Sequence, residues 1–369
     1  MHVSYTFSKY ISKQFLISLG IVVSALALIT LLFDTVEMLR RTQDKDIPFG
    51  MLLQMIILKL PNILFEMLPF IILIASILTY SRLTRSSELI AARAAGVSVW
   101  QFLMPAVALS FLLGLLIIAI INPLAAVMHA KYETLEDKYF RGNLNTLSVS
   151  STGLWLKQPG QDGEGKTIIH ALKASQREAI LYDVTIFMFN QHHRLFKRIY
   201  APTAQLVSNH WELHNADITS ITEGQNISIP TNNTYRVPTD MQLSEIQNSF
   251  ADPKTISFWR MPDFIDTLKQ AGLPANNHQL HWYKITVIPF FLSAMVFFAA
   301  AFSLHLPRKG KTGLLIAGGI MVGFAIRFLS DLVSVMGLAG TIPLVFSAWA
   351  PVIISLMLGA ALMLHLEDG

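Results

Sequence analysis

The sequence predicts a membrane α-helical protein with six transmembrane helices and an inserted all-β, jelly-roll-like domain. Three observations lead there. Only 14% of the 369 residues are charged, against about 25% in soluble globular chains. The apolar residues gather in blocks of about 20 or more, the length that crosses a hydrocarbon layer of ~30 Å as a helix. Between the third and fourth blocks, a stretch of roughly 150 residues changes to the short, alternating runs of strands.

The first block covers 14–33. Lys9 and Lys13 give it a basic start, and Ala25-Leu26-Ala27 imitates a signal cleavage site. The apolar run continues to Phe33, which is too long for a signal segment, so it reads as a retained span. The second block, 51–80, carries Lys59, Pro61, Glu66 and Pro69. The others are 102–128, 285–305, 313–335 and 342–365. With the N-terminus in the cytoplasm, Lys9, Lys13, Arg82, Arg85, Arg93, Arg308, Lys309 and Lys311 fall inside. The short outer loops hold only Arg40, Arg41 and Lys45. That imbalance satisfies the positive-inside rule and puts the long central segment outside, where loop charge does not count. Arg40 and Arg41 run against the trend and need a reason of their own.

The central segment reads as strands at 147–157, 167–174, 179–190, 194–200, 203–208, 210–216 and 235–237, separated by turns such as Pro159-Gly160 and Asn232-Asn233. Many short strands at this spacing suggest an antiparallel sandwich or jelly roll. Pro253 marks a linker, and 262–271 reads as an amphipathic helix stopped by Gly272 and Pro274. The expected division is 1–140 for the first three spans, 141–258 for the β domain, and 259–369 for the linker helix and last three spans.

No motif argues for an enzyme, so no catalytic residue, cofactor or metal is expected. Gly160-Gln161-Asp162-Gly163-Glu164-Gly165-Lys166-Thr167 matches the phosphate-binding loop letter for letter. That loop needs a helix behind it, and Ile168-Ile169-His170-Ala171-Leu172 reads as a strand. A polar hairpin turn explains it. His192-His193, His278 and His281 lack a third ligand at suitable spacing and read as surface residues. The chain has no cysteine, which excludes disulfides and thiolate chemistry. The basic clusters hug the spans without interleaved aromatics, so the charge pattern argues against nucleic acid as a partner.

Three polar groups stand out. Within 84–96, Ser86 can cap a short helix with Glu88 in its first turn, and Gly96 can end it. A capped interfacial linker and a docking helix for a cytoplasmic partner follow equally well from these residues. Arg327 and Asp331 sit inside the fifth span, one turn apart. They can pair with each other or face a polar cavity. At the outer end of the first span, Asp34, Glu37, Arg40 and Arg41 mostly share one helix face. A solvated helix end with an internal ion pair is the alternative to an anion site there.

These residues carry a resemblance. The Arg85-Ser86-Ser87-Glu88-Leu89 run ending at Ala95-Gly96, the six spans and the large insert after the third resemble the LptF/LptG family. Those proteins are the permease subunits of the lipopolysaccharide export ABC transporter of Gram-negative bacteria. Gly153-Leu154-Trp155, Trp211-Glu212-Leu213 and Trp282-Tyr283-Lys284-Ile285 resemble the LptG branch more than LptF. The resemblance implies a multi-pass inner-membrane protein with a periplasmic jelly roll. It implies pairing with an LptF-like permease, an LptB-like ATPase dimer, an LptC-like bitopic subunit and an LptA-like periplasmic bridge. ATP hydrolysis would belong to the ATPase. Ser87, Glu88, Leu89 and Gly96 would form the ATPase-coupling helix. Arg40 and Arg41, with Lys131 and Arg327, would bind lipid phosphates, and Phe33, Phe187, Phe189 and Asp331 would line a lipid cavity or slot; Phe187 and Phe189, facing the same side of a strand, line either the core of the β domain or an acyl-chain slot. Asp34 departs from the LptG pattern, which has a basic residue there; an acid repels phosphate, so the site is expected to be rearranged. The rival readings are another ABC permease with a periplasmic domain, of lipoprotein-release or efflux type, and a non-transporting scaffold or sensor.

Overall fold

The computed structural model describes residues 5–43, 47–141, 146–150, 153–159, 165–175, 180–192, 194–207, 209–222, 225–231, 234–239, 252–304 and 312–367. Among these, five helices are long and apolar enough to cross a membrane, and a pair bent by 51° makes a sixth if counted as one span. Lys45, His193, Arg308, Lys309, Lys311, Asn232, Asn233 and the loop residues 160–164 lie outside the described residues.

The chain forms two compact units, one from Met1–Glu133, Lys254–Trp259 and Gln279–Gly369, the other from Thr134–Pro253 and Arg260–His278. The first unit holds the membrane helices. The first span is α1 (Tyr5–Arg41) and the second is α2 (Phe49–Arg85). Pro61 and Pro69 lie inside α2 without breaking it. A short helix α3 (Glu88–Ala94) follows. The third span starts as α4 (Val99–Leu116), loosens to a π-helical turn at Ile117–Ile121, and continues as α5 (Asn122–Glu136). A π turn disturbs the regular backbone pairing of the helix. Here the Ala119 carbonyl accepts the Trp259 indole N–H at 3.4 Å. The buried Asn122 side chain accepts the Phe258 backbone N–H at 2.8 Å. The returning chain is thereby docked on the third span.

In the second unit, helix α6 (Met261–Gln270) belongs with the strands. The sequence places it with the membrane half, because a helix beside a span carries no sign of its packing partner. The Ala174 N–H donates to the Ala271 carbonyl at 3.0 Å, which ties the end of α6 to the sheet. The polar helix α7 (Asn276–Thr286) then bends into the apolar α8 (Ile288–Leu304). The last spans are α9 (Thr312–Leu338) and α10 (Leu344–Glu367). The core of the membrane unit joins Ile11 and Phe15 of α1, Leu73 and Ile77 of α2, Phe102 of α4 and Leu292 and Ala299 of α8. Small residues let the helices close up. A Cβ at Gly114 of α4 would stand 2.5 Å from the Pro289 Cα of α8. Buried hydroxyls at Thr79, Ser293 and Ser355 donate to carbonyls one turn back, which removes bare polar groups from the apolar interior.

Among the described residues, nine antiparallel strands form the sheet of the second unit: β1 (Thr146–Ser150), β2 (Gly153–Pro159), β3 (Lys166–Ser175), β4 (Ile180–Phe189), β5 (Leu195–Val207), β6 (His210–His214), β7 (Ala216–Thr222), β8 (Gln225–Thr231) and β9 (Tyr235–Pro238). Their order is β1-β2-β3-β4-β5-β6-β9, with β7 paired to β5 and β8. The long β5 forks the sheet: Lys197–Tyr200 pairs with β7, and Thr203–Val207 pairs with β6 along the same edge.

Several expected boundaries move. The strand expected at 147–157 is a hairpin, because Gly153 has φ +119° and the chain reverses there. The strands expected at 194–200 and 203–208 are one, β5. Pro202, which has no N–H to donate, falls in the gap between the two pairings of the fork. The strand expected at 210–216 stops at His214, before Asn215 in left-handed backbone, and β7 begins at Ala216. β8 was not expected, since Asn226-Ile227-Ser228-Ile229-Pro230 offers too few apolar residues in a row.

Phe187 and Phe189 share a face, but it is not the core face; Ile186 and Met188 are buried instead. Registration explains this. Leu156, Ile169, Ile186 and Ile199 stand opposite one another on successive strands, a row of apolar cross-strand pairs. Phe187 stands opposite Ile168 and the exposed Arg198.

Candidate functional site

Three places hold the singled-out residues. The first is α3. Ser86 does not cap it: its hydroxyl donates to the Arg82 and Leu83 carbonyls and closes α2. Ser87 takes the N-cap position in left-handed backbone, φ 58°, without a side-chain cap bond. The helix therefore starts at Glu88, later than the 84–96 segment suggests. Gly96 ends it at φ +82°, where a side chain would strain the backbone. The Gly96 N–H donates to the Arg93 carbonyl at 2.9 Å and the Val97 N–H to the Ala92 carbonyl at 3.0 Å, the paired bonds of a left-handed helix stop. Leu89 is buried in the membrane-unit core and anchors α3 from beneath. The Tyr10 hydroxyl of α1 lies near the Glu88 carboxylate.

The second place is the C-terminal end of α1. Asp34 Oδ1 accepts from Lys59 Nζ of α2 at 3.0 Å. The other oxygen, Oδ2, is buried with no hydrogen-bond partner. Lys59 also lies 6.0 Å from the Tyr132 ring centroid. Three residues on, Glu37 takes Arg40 Nη2 and Arg41 Nε, each at 2.9 Å. One carboxylate between two guanidiniums leaves an excess positive charge. Arg40 is 75% exposed. Ile21, Leu28, Leu32 and Val36 are exposed, and with Arg40 they sit at spacings of seven and four residues along one helix face. A bare apolar stripe thus ends in a guanidinium. Phe33, 74% exposed, lies beside it.

The Asp34–Lys59 pair makes a testable statement about this end. Asp34→Ala leaves an ammonium unpaired between two spans and should destabilise by on the order of 1–3 kcal/mol. Asp34→Leu with Lys59→Met should recover most of that loss. Melting curves of the purified detergent-solubilised protein check it; a double variant no more stable than Asp34→Ala would contradict it.

The third place is a cavity of about 290 Å³ among α2, α7, α8, α9 and α10. Arg327 Nε donates to Asp331 Oδ2 at 3.0 Å, and Lys284 Nζ stands 3.7 Å from Oδ1. Lys254 pairs with Glu66 on the same wall. The two readings of Arg327 are both present: it pairs with Asp331 and it lines the cavity. Arg40, Arg41 and Lys131 are not among the lining residues; Lys131 is exposed on α5. Sequence reasoning missed the partners. Lys59 and Glu66 were visible as charges inside a span, a signal in itself, whereas Lys254 in a linker gave none.

In the second unit, Lys166 of the loop-like motif lies 5.1 Å from the Phe189 ring centroid. It opens strand β3 rather than a helix, so the backbone donors that a phosphate-binding loop takes from a helix N-terminus are missing there. His278 is buried against the Phe264 ring, centroids 5.2 Å apart, instead of lying on the surface.

The lipopolysaccharide export system permease LptF/LptG family matches residues 9–365 of the chain. The chain is similar to the lipopolysaccharide export system permease protein LptG of Escherichia coli strain K12, 25% identical over 288 residues, 77% of each chain. It is equally similar to that of Escherichia coli O6:H1 strain CFT073, at 25% identity over 77% of each.

Proposed function

The chain belongs to the LptF/LptG family of lipopolysaccharide export system permeases, and from that membership we propose that it works as the LptG-type half of a two-permease transporter. It is an inner-membrane, multi-pass transport subunit. The proposed cargo path starts sideways, from the outer leaflet of the inner membrane into a space shared with an LptF-like partner. The observation that carries this reading is the apolar stripe of α1 ending at Arg40 and Arg41. Acyl chains would lie along Leu28, Leu32, Phe33 and Val36, and the guanidiniums would meet lipid A phosphates through two-pronged charge-assisted hydrogen bonds. Lys131 is a further candidate contact.

The low burial of two helices supports a second permease. Only 11% of the most apolar window of α1 and 17% of that of α9 is buried within the chain, against 44% for α2. In this reading an LptB-like ATPase dimer docks at Glu88 on α3. The β unit faces the periplasm and passes lipid to LptC-like and LptA-like partners by adding strands edge to edge. Phe187 and Phe189, half-buried off the core face, are the candidate slot for an acyl chain.

The test is the identity of the lipid that travels with the protein. The chain would be purified with its co-expressed partners, and bound lipid extracted and weighed by mass spectrometry. Enrichment of phosphorylated lipopolysaccharide over its share of the source membrane is expected. Bound lipid in bulk membrane proportion would contradict the reading.

A further inference from the structure

The sheet of the β unit curls until β9 reaches β2, although β3, β4, β5 and β6 lie between them in the sheet order. Side chains make the closure. Gln158 of β2 accepts the Thr239 hydroxyl at 2.8 Å and donates to the Pro238 carbonyl at 3.3 Å. Gln158 and Thr239 are both buried, and Gln158 shares its strand face with the buried Leu154 and Leu156. Lys197 of β5 adds a second tie, its Nζ donating to the Tyr235 hydroxyl of β9 at 3.1 Å. Among the described residues no backbone ladder joins β9 to β2. The other edge of β9 is held differently. Trp211, Glu212 and Leu213 of β6 stand in register with Val237, Arg236 and Tyr235, and Arg236 pairs with Glu212 at 2.9 Å. The seam with β2 is therefore the weak edge of β9. The closed roll also holds the Trp211 indole N–H buried, with no acceptor among the described residues, a cost that contact with water would relieve.

We propose that β6 and β9 form a flap that swings off β2, with Gln158–Thr239 and Lys197–Tyr235 as its clasp. The fork in β5 permits this. β6 and β7 leave the same edge of β5 without pairing to each other, so the flap moves without unzipping β7 and β8. A neutral hydrogen bond shifts a closing equilibrium by about two- to tenfold. A few such bonds leave the seam within reach of native-state opening, whereas the β3–β4 ladder runs unbroken in direction from Lys166 to Ser175. Opening uncovers the apolar row of Leu156, Ile169, Ile186 and Ile199 from the side. The flap itself is read from these contacts; its use, sideways entry of an acyl chain onto that row, rests on the cargo role proposed above.

The experiment uses the full complex in two arms. In the first, spin labels on the exposed positions Lys157→Cys of β2 and Thr234→Cys before β9 report the width of the seam by electron–electron distance measurement. A closed and an open distance are expected, and Gln158→Ala should raise the open-to-closed ratio by about tenfold. Labels at Lys157→Cys and Arg198→Cys, in one cross-strand row, should keep one distance throughout. A single seam distance unmoved by Gln158→Ala, or equal broadening of the reference pair, would overturn the flap. In the second arm, Gln158→Cys with Thr239→Cys is bridged by a short, reducible dithiol linker; the chain has no cysteine of its own. Lipopolysaccharide transfer should stop while ATP hydrolysis continues, and return on reduction. Equal transfer by the bridged and the reduced complex would overturn the flap's use in transport. Absence of transfer by the unaltered complex would instead sink the cargo role, and the distance arm would still decide the flap.

Discussion

Replacing Arg40 and Arg41 together with glutamate is expected to abolish lipopolysaccharide binding and export while the protein still folds and assembles. The two guanidiniums stand at the end of an apolar stripe on the most exposed span, against the charge trend of the outer loops. Each charge-assisted contact to phosphate is worth about 1.5–3 kcal/mol. Losing two should weaken binding by about two to four orders of magnitude, and reversed charge adds repulsion. The competing account is that both arginines serve only Glu37, which they do contact. Exposed pairs of that spacing contribute only about 0.3–0.5 kcal/mol, so under that account the variant would bind and export normally. Lysine at both positions separates charge from geometry: it keeps the attraction and loses the planar fork, so an intermediate affinity is expected. The readout is phosphorylated lipid per purified complex. Equal occupancy in wild type and the glutamate variant would remove the phosphate role from this end.

The second large effect is expected at Glu88. Glu88→Ala should weaken co-purification of the ATPase, or leave hydrolysis running without lipid export. A charged group lost from a desolvated contact costs on the order of 2–5 kcal/mol. The helix itself should survive, because Leu89 is buried beneath it and Gly96 still ends it. Tyr10→Phe is the informative companion. It removes the hydroxyl beside the carboxylate but keeps the charge, so a milder loss of the same kind is expected. Normal ATPase retention and normal lipid export by Glu88→Ala would contradict the assignment.

How much was legible in the sequence depends on how local each signal was. The spans were legible because apolar length is a local property: α1, α2 and α9 contain their predicted spans, and α10 starts at Leu344, just inside its own. The bend before α8 was less so: Tyr283-Lys284-Ile285 reads as the entrance to a span, while the apolar helix starts at Ile288. Gly96 was read correctly because a left-handed stop has a residue signature. Ser86 was not, since two adjacent serines offer the same cap chemistry and only the backbone turn at Ser87 decides between them. Which face of β4 turns inward was not legible, because Ile186 and Met188 alternate with Phe187 and Phe189 as equally apolar residues. Only the row from Leu156 to Ile199 selects the inner face, and that row is a long-range fact of strand register. The same holds for charge. Arg327 and Asp331 are one turn apart and pair as expected. Lys59 and Asp34 meet across two helices, and no spacing rule links residues so far apart in the chain.

A chain that moves lipopolysaccharide out of the membrane in which it sits should do so in a purified system. The direct measurement reconstitutes the complete complex in liposomes loaded with lipopolysaccharide and follows its transfer to a soluble periplasmic acceptor by photocrosslinking. Transfer is expected to require ATP, to be lost in the Arg40→Glu and Arg41→Glu variant, and to be lost again in Glu88→Ala while lipid remains bound. Transfer equal with and without ATP, or none from a complex that binds the lipid and hydrolyses ATP, would contradict it.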